Sequence, residues 1–314
     1  MTVLGDGDYR YEELDDWAEL PDGWHFKEVA DVAVDGEDRI YVFNRSEHPM
    51  MVFDCEGHFL DSWGEDLFSR PHGLTLGPDG TLYCVDDDLH CVQRCTTAGE
   101  VLSTFGVPGK PSPPQSGQPF NRPTKVAFDP ANGDIYISDG YGNAKVHKFN
   151  IDGNYLFSSV EYGTDCGQFN LVHSVCTDDD GRVYVADRDS HRVQIFDIRG
   201  IYVDQWNDLH GPCGLHINNG LVYIGQILTE LTVNSTYPNL GCCVSIHDLT
   251  GRRLARLGDV HPGEGPGQFI APHGLAVDSR GDLYVAEVSW VTYGSQQTPP
   301  REVRSFRKLS RIRQ

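Results

Sequence analysis

Short runs of alternating apolar and polar residues, broken by turns rich in aspartate, asparagine and glycine, follow one another along the whole chain. One phrase recurs. Residues 71–85 read PHGLTLGPDGTLYCV, 123–137 PTKVAFDPANGDIYI, 172–185 VHSVCTDDDGRVYV and 272–285 PHGLAVDSRGDLYV, with weaker copies at 29–42 and 212–224. In each copy a short run meets a turn and a second run centred on tyrosine, which is the signature of a β-hairpin. A third run (MVFD, CVQRC, VHKFN, VQIFD, CVSIHD, VRSFR) and, after a glycine turn, a fourth (such as GEVLSTFG or GIYVDQW) complete the unit. Four strands in each of six units of about 52 residues predict an all-β fold, a six-bladed β-propeller of four-stranded antiparallel blades. Helical periodicity is nearly absent.

This grammar resembles the NHL-repeat propellers over roughly residues 25–308. The expected organisation is one domain, 1–314, with blades near 22–64, 68–107, 119–163, 167–207, 210–258 and 265–309. The N-terminal stretch with Tyr9 and Tyr11 is expected to add an outer strand to the last blade and so close the ring, which removes an exposed edge. The Pro-rich segment 107–119 reads as an interblade loop, and the insert at 226–241 as a loop able to cover one face.

Composition narrows the function classes. Of 314 residues 46 are acidic and 25 basic, a net charge of −21, which disfavours nucleic acid as a partner. No window is apolar enough to span a membrane, and the acidic start lacks the apolar stretch of a signal peptide, so a cytoplasmic location is expected. Nine cysteines without an export signal are expected to stay mostly as thiols.

Aligning the six copies on their first strand puts Ala30, His72, Thr124, His173, Cys213 and His273 at one position. The histidines fall in blades two, four and six, about 100 residues apart, which is two blade lengths. In a six-bladed ring three imidazoles can then converge on the channel axis, the three-histidine, one-open-position arrangement of a catalytic zinc site. The plainer reading makes His-Gly a repeat turn. The other ten histidines share no register and are expected on the surface or in turns, His216 as packing.

Fourteen residues beyond each inner histidine stands a carboxylate, Asp86, Asp187 or Glu287, matched in the odd blades by Asn44, Asp139 and Gln226. These read as turn-binding side chains, or alternatively as partners of the histidines. The next position holds Arg45 in blade one and Arg188 in blade four, and blade three brings Tyr141 nearby in DGYGNAK. A pair of guanidinium groups suits a carboxylate-bearing small molecule.

The phrases RPHGL, FNRPTKVAFDP, YISDGYGN, LVHSV, VADRDSHRVQIF and APHGLAV closely resemble the peptidyl-α-hydroxyglycine α-amidating lyases. The resemblance implies zinc on His72, His173 and His273, a catalytic tyrosine at Tyr141, active-site arginines at Arg45 and Arg188, and a structural calcium on the carbonyls of Val32 and Leu74. It also implies cleavage of a carbinolamide to an amide and a glyoxylate-like aldehyde. Two positions depart from the family. Gly274 stands where the family has an aspartate, and Gly142 where it has a cysteine. A hydrolase or lyase acting on another small molecule, and an NHL scaffold without catalysis, are the competing readings.

Overall fold

The computed structural model describes residues 2–14, 16–159, 161–228 and 240–313. It is a six-bladed β-propeller of antiparallel four-stranded sheets, as the repeat predicts. The first strands, which line the channel in a propeller, are Val29–Val34, Pro71–Leu76, Lys125–Phe128, Val172–Thr177, Pro212–Asn218 and Pro272–Val277. The chain divides into two compact units, Met1–Asp66 with Asn218–Gln314, and Leu67–Ile217. Most of the insert expected to cover one face, residues 229–239, lies outside the described residues.

The recurrent Asp…Gly…Tyr spelling has a physical cause. In three blades the aspartate ending the first strand accepts two turn amides on Oδ1, as Asp178 does from Asp180 and Arg182. Its other oxygen accepts the tyrosine hydroxyl of the second strand: Tyr41 on Asp35, Tyr184 on Asp178 and Tyr284 on Asp278, at 2.9–3.1 Å. A tight hairpin and a buried phenol are thus satisfied by one carboxylate.

The last blade closes with the N-terminus, as expected. Tyr9–Leu14 pairs with Phe306–Arg311, and Val3–Asp6 adds a fifth strand outside it. The third strand lies at Phe306–Arg311 rather than at the expected VRSFR run, because 289–296 forms short helical turns that lengthen the connection. Tyr11 and Leu4 pack with Tyr223, Val244, Leu257 and Leu309. Arg307, 2% exposed, pairs with Glu287 at 2.6 Å and with Glu13 of the N-terminal strand at 2.5 Å. Glu13 Oε2 also accepts the Gly267 amide at 2.8 Å.

Removing Glu13 leaves Arg307 its Glu287 partner but strands one guanidinium N–H and the Gly267 amide, and a buried donor without an acceptor is costly. The Glu13→Ala variant is therefore expected to lose about 1–3 kcal/mol of stability, read from the urea midpoint. An unchanged midpoint would show that this closure contributes nothing.

Candidate metal and catalytic site

Each of the three histidines stands in a β-bulge. Val172 faces Asp187 while Ser174 faces Ala186, so His173 is the extra residue of its strand. The same irregularity spans His273 between Pro272 and Gly274, and a wider one spans His72 between Pro71 and Leu74. A bulge frees a residue from the alternation of the strand and re-aims its side chain. The sequence carried no signal for it.

The bulged imidazoles are held in one way. His72 Nδ1 donates to the Thr124 carbonyl at 2.9 Å, His173 Nδ1 to Cys213 at 3.0 Å and His273 Nδ1 to Ala30 at 2.6 Å. Each acceptor is the residue at the same register position in the following blade. A carbonyl can only accept, so Nδ1 carries the proton and Nε2 is left with its lone pair, the tautomer that suits a metal ligand. The glycine after His72 is part of the device: a Cβ on Gly73 would run into the Thr124 carbonyl. The His-Gly spelling is thus a close approach of two strands.

Within the unit 67–217 five functional side chains meet. The Tyr141 hydroxyl lies 3.1 Å from His72 Nε2 and 3.0 Å from His173 Nε2, and Cys213 Sγ lies 3.5 Å from His173 Nε2. Gly140 permits this approach, because a Cβ there would collide with the Val172 carbonyl next to His173. Imidazole nitrogens and a phenol oxygen gathered in this way are a donor set that fits a cation. Arg188 lies over the Tyr141 ring at 5.7 Å, and Arg122 lies over it at 4.6 Å. Burial works against the charge on Arg188, but Tyr141, Cys213 and Asp189 outweigh it and hold its pKa above the ordinary arginine value.

Arg122 was missed at the sequence level. It stands two residues before Thr124 in FNRPTK, the position that Arg70 holds before His72, and neither arginine lies in the histidine, carboxylate or following-residue positions that carry the expected chemistry. Its guanidinium pairs with buried Asp87 at 2.5 Å, and Arg70 stands 3.4 Å from the same carboxylate oxygen.

The other expected residues are placed as follows. Arg45 donates to Glu28 at 2.6 Å in the unit built from the two ends of the chain, and Glu28 also accepts the Val291 amide. The carboxylate tier binds backbone and does not touch the imidazoles' Nδ1 atoms. Asp86 accepts the amides of Ser69 and Arg70, Asp187 those of Asn170 and Leu171, and Glu287 those of Ile270 and Ala271. In each case these are the second and third residues before the histidine. Val32 is buried, and the Leu74 carbonyl accepts a hydrogen bond from Lys125 Nζ at 2.7 Å. His147 and His247, expected on the surface, are fully buried in third strands, His147 between Asp139 and Ser158. No disulfide joins any of the nine cysteines. No helix among the described residues is long and apolar enough to cross a membrane.

His216 has its pKa pushed down to about 4, first by burial and then by the Lys125 charge. Its folded form resists protonation, whereas the unfolded chain takes up the proton below the ordinary histidine value. Stability is therefore complete above about pH 6.5 and falls as the pH drops toward 4, by about 1–3 kcal/mol after discounting for solvent in the channel. His216→Asn should flatten that part of the curve in urea melts taken across this range. A curve of unchanged slope would assign the loss to other groups.

Comparison with known proteins agrees with this picture. The NHL repeat model matches residues 120–149 and 169–196. NHL repeat-containing protein 3 of Homo sapiens is 30% identical over 279 residues, covering 82% of this chain and 76% of that protein. Peptidyl-alpha-hydroxyglycine alpha-amidating lyase 1 of Drosophila melanogaster is 27% identical over 245 residues, covering 72% of this chain and 44% of that protein. Among solved structures a streptogramin B lyase superposes with a TM-score of 0.61 at 11% identity, covering 98% of each chain, a likeness of fold. The chain belongs to the NHL-repeat propeller family of NHL repeat-containing protein 3 and is homologous to the peptidyl-α-hydroxyglycine α-amidating lyases.

Proposed function

We propose that this propeller is a zinc-dependent lyase that cleaves the C–N bond of a small carboxylate-bearing carbinolamide, R–CO–NH–CH(OH)–COO⁻. The observation that carries the reading is the Tyr141 hydroxyl set between two imidazole Nε2 atoms whose Nδ1 protons are committed to carbonyls. His72, His173 and His273 together are a group able to hold a metal ion. The metal's role would be that of a Lewis acid, favouring loss of the substrate hydroxyl proton. The homology to amidating lyases supports the same reaction class.

In this reading Tyr141 takes the hydroxyl proton. The flanking Arg122 and Arg188 charges favour the phenolate form it needs. The C–O bond becomes a carbonyl, the C–N bond breaks, and the nitrogen leaves with the electron pair and takes back the proton that Tyr141 accepted, giving the amide. Arg188 holds the carboxylate of the glyoxylate-like product by charge-assisted hydrogen bonds. No redox partner or water is consumed.

α-Hydroxyhippurate is the test substrate, with glyoxylate release as the readout. Tyr141→Phe is expected to keep bound zinc and the native melting temperature while kcat falls by about 10²–10⁴-fold, the usual worth of a general base. Wild-type turnover would exclude the phenolate role. A strong chelator should remove close to one zinc per chain together with activity, and zinc should restore both; His173→Ala should lose the metal and turnover. Full activity in His173→Ala would place the metal elsewhere. The match to NHL repeat-containing protein 3, whose name states only its repeats, favours one alternative, a scaffold without catalysis. A folded protein that binds no zinc and releases no glyoxylate would establish that alternative.

A further inference from the structure

Of the two carbonyls at which the amidating-lyase resemblance implies a calcium, that of Leu74 does not fit the ion. On the inner strand of blade two the Leu74 carbonyl accepts the Lys125 ammonium at 2.7 Å. Lys125 opens the inner strand of blade three, one residue beyond the Thr124 carbonyl that orients His72. Its charge is also felt on the next two inner strands. It opposes the upward push of burial on the Cys176 thiol, and it adds to the downward push on His216. One ammonium thus bonds the inner strand before its own and acts electrostatically on the two after it.

The other unit carries a matching change. Gly274 follows His273, and a Cβ there would fall against Oδ1 and Cα of Asp31. Asp31 is 2% exposed, and its Oδ1 accepts the amide of Val32 at 2.9 Å. A carboxylate from the neighbouring strand occupies the space in which a side chain at 274 would stand.

We propose that the inner wall of this unit carries its own cation, the Lys125 ammonium, in place of a divalent ion at the Leu74 carbonyl. Calcium needs six to eight oxygen ligands at 2.3–2.6 Å. The Leu74 oxygen already faces a fixed positive charge, and an ion brought to coordination distance of it would meet that charge at close range. A tethered cation cannot dissociate, so this position stays filled at any free calcium concentration. This inference is independent of the lyase reading, because it concerns neither the histidine metal nor turnover.

The test uses full-length protein with its zinc content measured separately. After passage through calcium-free buffer, wild type is dialysed against micromolar calcium with excess magnesium to occupy the acidic surface. No stoichiometric calcium and an unchanged melting temperature are expected; one calcium per chain overturns the proposal. Lys125→Met strands the Leu74 carbonyl and should melt several degrees lower than wild type. A Lys125→Met protein that melts like wild type also overturns it. Should that variant fail to fold, the wild-type dialysis decides the question alone.

Discussion

The bond from an even-blade histidine to the carbonyl of the following odd blade is the constraint on which the site rests. It does three things at once. It ties neighbouring inner strands together, as between His72 and Thr124 or His173 and Cys213. It fixes the proton on Nδ1, which leaves Nε2 as an acceptor. It also determines which residues can follow, since Thr124 approaches His72 so closely that only glycine fits at 73. The bulge is the other half of the device, because a regular strand would alternate and could not spare the imidazole from its pleat. The carboxylates at Asp86, Asp187 and Glu287 then pin the backbone just before each bulge. Their buried charge is used to hold a strand entry in place, while a backbone carbonyl orients Nδ1 of each imidazole.

The electrostatics of the site run against those of the protein. A chain of net charge −21 repels anions at long range, and at physiological salt that repulsion fades within about 8 Å. Close to Tyr141 the balance reverses, with Arg122 and Arg188 over one ring. Asp87 tempers this by pairing with Arg122, so the local excess is smaller than two full charges. Asp189 does the same for Arg188 at 2.9 Å, so the reversal acts over contact distances only.

Much of the architecture was legible because a propeller repeats its physics. The Asp…Tyr spelling recurs where one carboxylate binds both the turn and the phenol of a hairpin, as Asp35 and Tyr41 show. The histidine register was legible for the same reason. What escaped were features whose role is set by distant partners. Arg122 shares its register position with Arg70, but its importance comes from a ring more than a dozen residues away. Buried His147 could not be separated from surface histidines, because its partners Asp139 and Ser158 come from adjacent strands and not from its own sequence neighbourhood. The third strand of the last blade shifted because the preceding connection coils into short helical turns, for which the strand pattern carries no signal.

The departures from the lyase pattern are informative for the same physical reason. A glycine at 274 in place of an aspartate would read as a loss if each residue were scored alone. In space it is an exchange: the Asp31 carboxylate stands against Gly274, and a lysine on another inner strand faces the Leu74 carbonyl. Gly142 repeats the pattern, since Asn121 fills the space a cysteine side chain would need and bonds the Ser112 carbonyl instead. Changes of this kind exchange one buried side chain for another at nearly constant volume. The imidazoles, the tyrosine and the arginines over it are untouched by them, so the histidine tier and the residues packed at 31, 121 and 125 can vary separately.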